Sequence, residues 1–326
     1  MRKVLFFVFI FVVQFAYSQY DIAEPDSLAD GKKEKKLPSK WSKKNVATLD
    51  VSEVAFVNWN SGGSNSISAL LGFASQANYK YKNFYWNNNL KVRYGVNKQQ
   101  DQELRKTEDV FEVNSNVGYR RDTLSNWFFT SRFNFKTQFT SGYSYPNTDT
   151  SISKLMAPGY LFYGMGFEYG KNIETLSLYF SPATLKSTFV LDQRLANSGA
   201  FGVTAAVYDA EGNLIREGSR VRTEFGILFT NAYETEIATN IYMKHLASFY
   251  TDYINDFGNI DVDWQVNLDF KVNSYIRANL GSHLKFDNDV RNLIAVHEEG
   301  EEEEYVEEAA KIQWKQILGI GVVFDF

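Results

Sequence analysis

The sequence predicts an all-β protein, a transmembrane antiparallel β-barrel of about twelve strands, with about ten or about fourteen as alternatives. Three observations predict this fold. Apolar and polar residues alternate over long runs, the connections between runs are alternately short and long, and the chain ends on an aromatic residue. Alternation with period two gives a strand one apolar and one polar face. Spanning strands of a barrel need about nine to eleven tilted residues.

The clearest alternation lies at 260–272, where the apolar side chains share one face and the polar side chains share the other. The same pattern recurs along the chain. It predicts strands at 46–58, 66–81, 84–97, 107–120, 126–140, 159–170, 174–190, 220–231, 236–249, 260–272, 275–286 and 311–326. Soluble strands usually run about five or six residues, so these lengths favour a membrane barrel over a soluble sandwich, which stays the alternative.

The connections sharpen this prediction. Short ones are expected near Asn83 and at 121–125, 170–174, 231–236 and 273–274. Longer ones are expected at 60–63, 97–106, 140–158, 191–219, 250–259 and 287–310. Short periplasmic turns and long extracellular loops are typical of outer-membrane barrels, and an even strand count places both termini in the periplasm.

Both ends of the chain predict the cellular location of the protein. Residues 1–18 have a basic start, an apolar run and small residues before Gln19, which is the pattern of a secretory signal peptide; an uncleaved anchor is the alternative. Residues 19–44 are polar and lysine-rich and are expected to form a flexible basic periplasmic segment, with 45–326 as the barrel. At the other end, Phe324 and Phe326 have the form of a membrane-assembly signal.

Composition excludes several functions. The chain has no Cys, so disulfides, thiolate metal sites and Cys nucleophiles are excluded. The formal net charge of -5 argues against a nucleic-acid partner. The expected partners are outer-membrane lipid and lipopolysaccharide, the barrel-assembly machinery and, as a further candidate, other outer-membrane proteins. No cofactor and no metal site is predicted.

The polar strand faces predict a charged lumen. Charged side chains there can line a water channel or pair and fill the bore. Inward-facing glycines are expected to leave space in it. The predicted lumen-facing residues are Lys91, Arg93, Arg132, Lys136, Arg222, Glu224, Asp261, Asp263, Asp269, Lys271, Arg277, His283, Lys285 and Lys315.

Three further features carry hypotheses. A hydrolase would need a serine beside His283, and no particular serine is indicated by the sequence. The Glu-rich stretch 298–308 is a solvated loop or a site for divalent ions. The small and apolar residues of 185–202 predict a loop that folds into the mouth of the barrel as a constriction.

Segments 54–73, 145–169 and 178–203 resemble a Bacteroidetes outer-membrane barrel family of unknown function, DUF3078. The more specific marks are Asn58-Trp59 before Gly62-Gly63, and Ser181-Pro182 with Lys186 and Phe189-Val190. The resemblance covers roughly 40–326. It implies a barrel and no assigned reaction, so it transfers no catalytic residue.

Together these observations predict a non-enzymatic barrel in the outer membrane of a Gram-negative bacterium. A channel or porin-like passage for small solutes is the first functional hypothesis. A non-conducting subunit of an assembly or secretion complex is the second, and a barrel lipid hydrolase is the third.

Overall fold

The computed structural model describes residues 40–55, 64–170, 172, 175–254, 257–288, 292–296, 304–308 and 310–325. Twelve antiparallel strands close into one barrel, in which each strand pairs with its neighbours along the chain and the last pairs with the first. The strands are β1 (Trp41–Val54), β2 (Ser66–Tyr81), β3 (Phe84–Gln99), β4 (Arg105–Tyr119), β5 (Trp127–Thr137), β6 (Gly159–Tyr169), β7 (Leu176–Phe189), β8 (Val221–Ala238), β9 (Ile241–Asp252), β10 (Asp261–Lys271), β11 (Ile276–Phe286) and β12 (Gln313–Asp325). The predicted fold class and the count of twelve are confirmed.

Closure gives every strand of the barrel two neighbours. β1 pairs with β2 along its whole length, from Trp41 opposite Tyr79 to Val54 opposite Ser66. It also pairs with β12 over a shorter stretch, from Val46 opposite Asp325 to Asp50 opposite Gly321. Backbone groups exposed to hydrocarbon cost several kcal/mol each, so only a closed sheet of this kind can span a bilayer.

The two ends of the barrel differ as predicted. The short-turn end carries the connections 82–83, 120–126, 170–175, 239–240 and 272–275, and the long-loop end carries 55–65, 100–104, 138–158, 190–220, 253–260 and 287–312. One predicted turn is wrong: residues 231–236 lie inside β8, and the chain reverses at 239–240 instead. Asn240 has a φ of 64°, a left-handed conformation that Asn tolerates better than most residues.

The first strand begins earlier than predicted. Trp41 starts β1, so residues 41–44 belong to the barrel and not to the predicted basic segment 19–44. The Trp41 ring lies 5.2 Å from the Tyr79 ring and 5.6 Å from the Trp86 ring, centroid to centroid. This aromatic packing at the short-turn end fixes the start of the strand. Residues 1–39, with the predicted signal peptide, lie outside the described residues.

The outer face of the barrel is apolar and exposed. Leu71 is 58% exposed and Leu318 73% exposed, on strands whose alternate residues point inward. The indole N–H groups of Trp86, Trp264 and Trp314 donate to Ser115, His245 and Ser282 on adjacent strands, each at 2.9 Å. Indoles at a membrane surface need such partners for their N–H groups. No helix in the described part of the chain is long and apolar enough to cross a membrane.

Short elements occupy the long-loop end. Three two-stranded hairpins pair Gly142–Tyr143 with Ser151–Ser153, Val207–Tyr208 with Leu214–Arg216, and Asn292–Val296 with Glu304–Glu308. The third hairpin takes in part of the Glu-rich stretch 298–308, whose other residues lie outside the described ones. A five-residue helix, α1 (Gln193–Asn197), is followed by a 3-10 turn at Ala200–Gly202.

Candidate functional site

The inner wall of β5 to β9 holds most of the buried inward-facing polar side chains in the described part of the chain. A centre of this packing is the Glu168 cluster, which consists of Tyr85, Thr130, Arg132, Glu168 and Ser177 near the short-turn end. Glu168 is 3% exposed and its carboxylate accepts hydrogen bonds from Tyr85, from Thr130 at 3.2 Å, from Arg132 at 2.7 Å and from Ser177. A buried carboxylate is tolerable only when it is paired and hydrogen-bonded, as it is here.

Arg132 links this cluster to a buried aromatic residue. Its guanidinium lies 4.0 Å from the centroid of the Tyr179 ring, and Tyr179 is fully buried. Gly118 and Gly164 make room for these large side chains, since a Cβ on Gly118 would lie 2.0 Å from the Tyr85 ring and one on Gly164 would lie 3.1 Å from the Tyr179 hydroxyl. These two glycines admit neighbouring side chains and do not leave a void in the lumen.

A second centre, the Lys186 cluster, lies near the long-loop end and consists of Lys186, Arg222, Glu224, Asp261 and Asp287. The Lys186 ammonium lies 2.7 Å from Asp261 and 3.5 Å from both Glu224 and Asp287. Arg222 lies 3.5 Å from Glu224. The cluster joins β7, β8, β10 and the residue after β11, so it spans four of the twelve strand-to-strand steps of the barrel from inside.

A third group of charges lies on β10 and β11. The Asp263 carboxylate contacts His283 Nε2 at 2.9 Å and accepts a hydrogen bond from Gln265 at 3.0 Å. Lys285 lies 5.3 Å from the centroid of the Tyr160 ring on β6. In the described part of the chain, no serine hydroxyl is hydrogen-bonded to His245 or His283, so the arrangement that a hydrolase requires is not formed there.

An ion pair also joins distant strands across the lumen. Lys315 on β12 contacts Glu108 on β4, although β1, β2 and β3 lie between these strands in the wall. Both side chains reach inward for this contact, near the long-loop end of the lumen.

The remaining inner wall is polar and partly exposed. We call it the polar lane: the inward-facing residues of β10, β11, β12 and β1 to β4. It includes Asp50, Asn87, Asn89, Lys91, Arg93, Glu112, Asn114, Asn116, Gln265, Asn267, Asp269, Arg277 and Asn279, all partly exposed. Several inward-facing residues on β5 to β9 are much less exposed than those of the lane. Thr130, Thr184, Glu224 and Thr230 are 0 to 6% exposed. Solvent therefore reaches the wall of the lane along its length, whereas it reaches the wall of β5 to β9 only in places, such as Asn134, Lys136 and Leu246.

Hydrogen bonds hold the lane's side chains in place. Asn134 donates to Glu112 at 3.1 Å and to Asn114 at 2.6 Å, and Asn279 donates to Asp269 at 2.8 Å. The lane carries both signs of charge, with Lys91 and Arg93 on β3 and Glu112 on β4. Rings or lanes of fixed charge and amide groups are what a selective aqueous passage uses.

The filled sector, which is the part of the lumen lined by β5 to β9, also carries a cap at its long-loop end. The cap, formed by 138–158 and 190–220, has its own apolar core of Ala157, Val190, Leu195, Ala196 and Val203, all at most 5% exposed. Arg222, in the Lys186 cluster, donates to the Gly202 carbonyl at 3.0 Å, and the Leu191 N–H donates to the Met156 carbonyl at 2.9 Å. The first bond ties the cap to β8, and the second joins the two segments of the cap.

The cap differs from the loop predicted at 185–202. Residues 185–189 belong to β7, and only the rest leave the wall. Asp192 caps α1 by accepting from the Leu195 N–H at 3.1 Å, and it accepts from Lys154 at 2.5 Å. Residues 190–202 pack against 138–158, because their small apolar side chains are buried in the apolar core of the cap.

The predicted lumen residues fall into these groups. Arg132 joins the Glu168 cluster; Arg222, Glu224 and Asp261 join the Lys186 cluster; and Asp263 meets His283. Lys271 lies exposed at the short-turn end, Phe324 is 55% exposed on β12, and Phe326 lies outside the described residues. The prediction omitted Asp50, Glu108, Glu112, Glu168 and Lys186. The polar face of each strand could have indicated them, because all lie at alternating positions.

No curated protein matches this chain. Among solved structures, an outer membrane channel from Pseudomonas putida F1 is 8% identical with a TM-score of 0.39, covering 92% of this chain and 100% of that chain. The translocator domain of autotransporter NalP from Neisseria meningitidis is 9% identical with a TM-score of 0.33, covering 88% and 90%. A FadL homologue from Pseudomonas aeruginosa is 7% identical with a TM-score of 0.31, covering 87% and 89%.

A family match concerns the first part of the barrel. Residues 51–143 match the family described as protein of unknown function, DUF3078. They run from β1 through β5 into the cap, and they include the Asn58-Trp59 and Gly62-Gly63 marks, which lie outside the described residues. The other segments quoted for the resemblance, 145–169 and 178–203, lie beyond the match. The match confirms, over residues 51–143, the resemblance to the DUF3078 family that the sequence predicted.

Proposed function

We propose that this chain is a non-enzymatic outer-membrane barrel of a Gram-negative bacterium, through which small polar solutes pass along the polar lane. The exposed apolar outer face is suited to lipid and to lipopolysaccharide. The short-turn end faces the periplasm, with both termini there, and the cap faces outward. The barrel-assembly machinery is the expected partner during insertion.

The observation that carries the proposal is the asymmetry of the inner wall. A barrel that served only as a rigid plug would gain most from pairing and burying its inward charges on every strand. Burial of this kind is found on β5 to β9, where Lys186 and Glu224 are 5% and 2% exposed. On the polar lane, charged and amide side chains stay in contact with solvent along the strands, which supports a passage there.

The Lys315–Glu108 pair is suited to narrow this passage. The test is single-channel conductance of the refolded protein in planar bilayers, with the double variant Glu108→Gln/Lys315→Gln. The double change leaves the net charge unaltered, so it isolates the loss of the crossing contact. We expect steady ohmic steps from the unaltered protein and a conductance higher on the order of twofold in the variant.

The matched control is Glu234→Gln/Lys244→Gln. This pair joins adjacent strands of the wall, at 2.9 Å, and its side chains are 51% and 47% exposed and do not reach across the lumen. It should leave the conductance unchanged. Silence in every form would contradict the passage and favour a non-conducting barrel that serves a larger outer-membrane complex.

A further inference from the structure

A cavity opens beside the short-turn end of the lumen. We call it the basic pocket; it has a volume of about 50 Å³, and its lining includes Lys80, Lys82, Asn83, Tyr85, Arg120 and Phe128. One water needs about 10–15 Å³ of such space. The pocket therefore has room for a few waters or for one group the size of a phosphate.

The charge of the pocket has one sign. Its lining holds three cationic side chains and no carboxylate. Within the described part of the chain, no carboxylate lies in ion-pair distance of Lys80, Lys82 or Arg120. Lys186 and Arg132, by contrast, meet carboxylates inside the lumen.

Arg120 is held in place with a donor left over. Its Nη1 donates to the Ser125 carbonyl at 3.2 Å, and its guanidinium lies 5.3 Å from the centroid of the Phe128 ring. Its Nε is buried and has no acceptor, and the nearby Asn83 Oδ1 is buried without a donor. A buried donor without an acceptor is costly, and a fixed guanidinium is the preferred partner of phosphate and carboxylate oxygens.

We propose that the basic pocket binds a small oxyanion, the phosphate or carboxylate group of a soluble solute, at the short-turn mouth of the lumen. Tyr85 places the pocket on the lumen side, because its hydroxyl donates to Glu168 within the barrel. Asn83 Oδ1 can accept a hydrogen bond from a hydroxyl of the same ligand. A role for the pocket in solute selectivity rests on the proposed passage, whereas anion binding at the pocket does not.

The test is calorimetric titration of the refolded full-length protein with inorganic phosphate in a phosphate-free detergent. We expect saturable binding, weakened about tenfold or more in Arg120→Gln, a loss of about 1.4 kcal/mol or more. Lys82→Gln should weaken binding as well, and this turn residue makes no hydrogen bond through its side chain in the described part of the chain. It keeps the proposal testable if Arg120→Gln fails to fold.

Arg121→Gln is the matched control, because Arg121 is the exposed neighbour and only its carbonyl approaches the pocket, through Asn83. It should retain affinity within about twofold of the unaltered protein. A titration with no saturable heat, or equal losses in Arg120→Gln and Arg121→Gln, would overturn the proposal. If a short-chain anionic phospholipid displaced phosphate from the pocket, the proposal of a soluble ligand would be overturned in favour of a lipid headgroup. Failure of conductance with intact phosphate binding would overturn only the passage.

Discussion

The Glu168 carboxylate accepts hydrogen bonds from four side chains on three other strands, β3, β5 and β7. Replacing it by Gln would leave Arg132 buried without its counter-charge. Removing one partner of a buried pair costs about 3–5 kcal/mol. We expect Glu168→Gln to lower the free energy of unfolding of the vesicle-inserted barrel by this amount, measured by denaturant titration.

The control for that substitution is Glu234→Gln, which breaks an exposed pair with Lys244. Exposed pairs contribute about 1 kcal/mol or less. Equal free energies of unfolding for both variants would show that the Glu168 cluster does not stabilise the filled sector.

Asp192 makes the cap sensitive to acid. The hydrogen bond from Lys154 and the bond from the Leu195 N–H hold the pKa of this carboxyl below its ordinary value. A pKa that is lower in the folded state contributes stability that is present above the unfolded value and is lost as pH falls through the folded value. We expect the protection of amides in 190–220 against hydrogen exchange, relative to the intrinsic rate at each pH, to fall below the ordinary Asp range.

The comparison variant is Asp192→Asn, which keeps an oxygen to cap α1 but has no carboxyl to titrate. Exchange in its cap should be faster at neutral pH and should change less on acidification. A cap whose acid response is the same in both proteins would contradict the assigned role of Asp192.

At the residue scale, the sequence predicts faces but not partners. Alternation placed Lys315 on the inner face, yet its contact with Glu108 joins residues 207 positions apart. That contact depends on the shear and cross-section of the closed barrel, which period-two patterns do not contain. Lys186 and Glu168 were likewise on polar faces, and some of their partners, Asp261 for Lys186 and Tyr85 for Glu168, come from non-adjacent strands.

Among the elements, β7 departs most from a regular strand. Pro182 lies within it, and its pairing shifts register against both β6 and β8 around Ser181 and Pro182. Proline has no N–H for a ladder and is confined in sheets to edges and bulges. Two hydrogen bonds stabilise the bulge. The Ser181 hydroxyl donates to the Met165 carbonyl at 2.9 Å, and the Tyr253 hydroxyl donates to the Pro182 carbonyl at 2.8 Å.

Gly166 is the counterpart of this bulge in β6. A Cβ there would lie 2.0 Å from the Phe180 carbonyl oxygen, a backbone atom that cannot move aside. We expect Gly166→Ala to destabilise the barrel by about 1–3 kcal/mol, the usual cost of overpacking. Denaturant titration of the vesicle-inserted protein measures this loss.

Gly319→Ala is the matched control, since a Cβ on this lumen-side glycine of β12 would meet its nearest atom at 3.7 Å. It should change the free energy of unfolding by less than about 0.5 kcal/mol. If both alanine variants are equally stable, the close approach of β6 to the bulge is not a constraint. The sequence predicts the strand at 174–190, but the bulge follows from pairing on both sides.

At the scale of the whole molecule, strand number and the unequal ends were predictable because both follow from local periodicity and from turn residues. The division of the lumen into a solvent-exposed lane and a filled sector was not predictable from the sequence. It arises where the cap, Tyr179, Arg132 and the Lys186 cluster fill one sector, and each of these contacts is long-range.

The central claim is that the lane is open to water while the sector from β5 to β9 is closed. Because the chain has no Cys, single cysteines report directly on it. Asn89→Cys and Asn279→Cys lie in the lane, and Thr184→Cys replaces a residue that is fully buried. The measurement is the rate of modification by a charged methanethiosulfonate in the refolded barrel, with the channel current followed at the same time. The account predicts rapid modification and reduced current at Asn89→Cys and Asn279→Cys, and protection at Thr184→Cys; equal rates at all three positions, or protection in the lane, would contradict it.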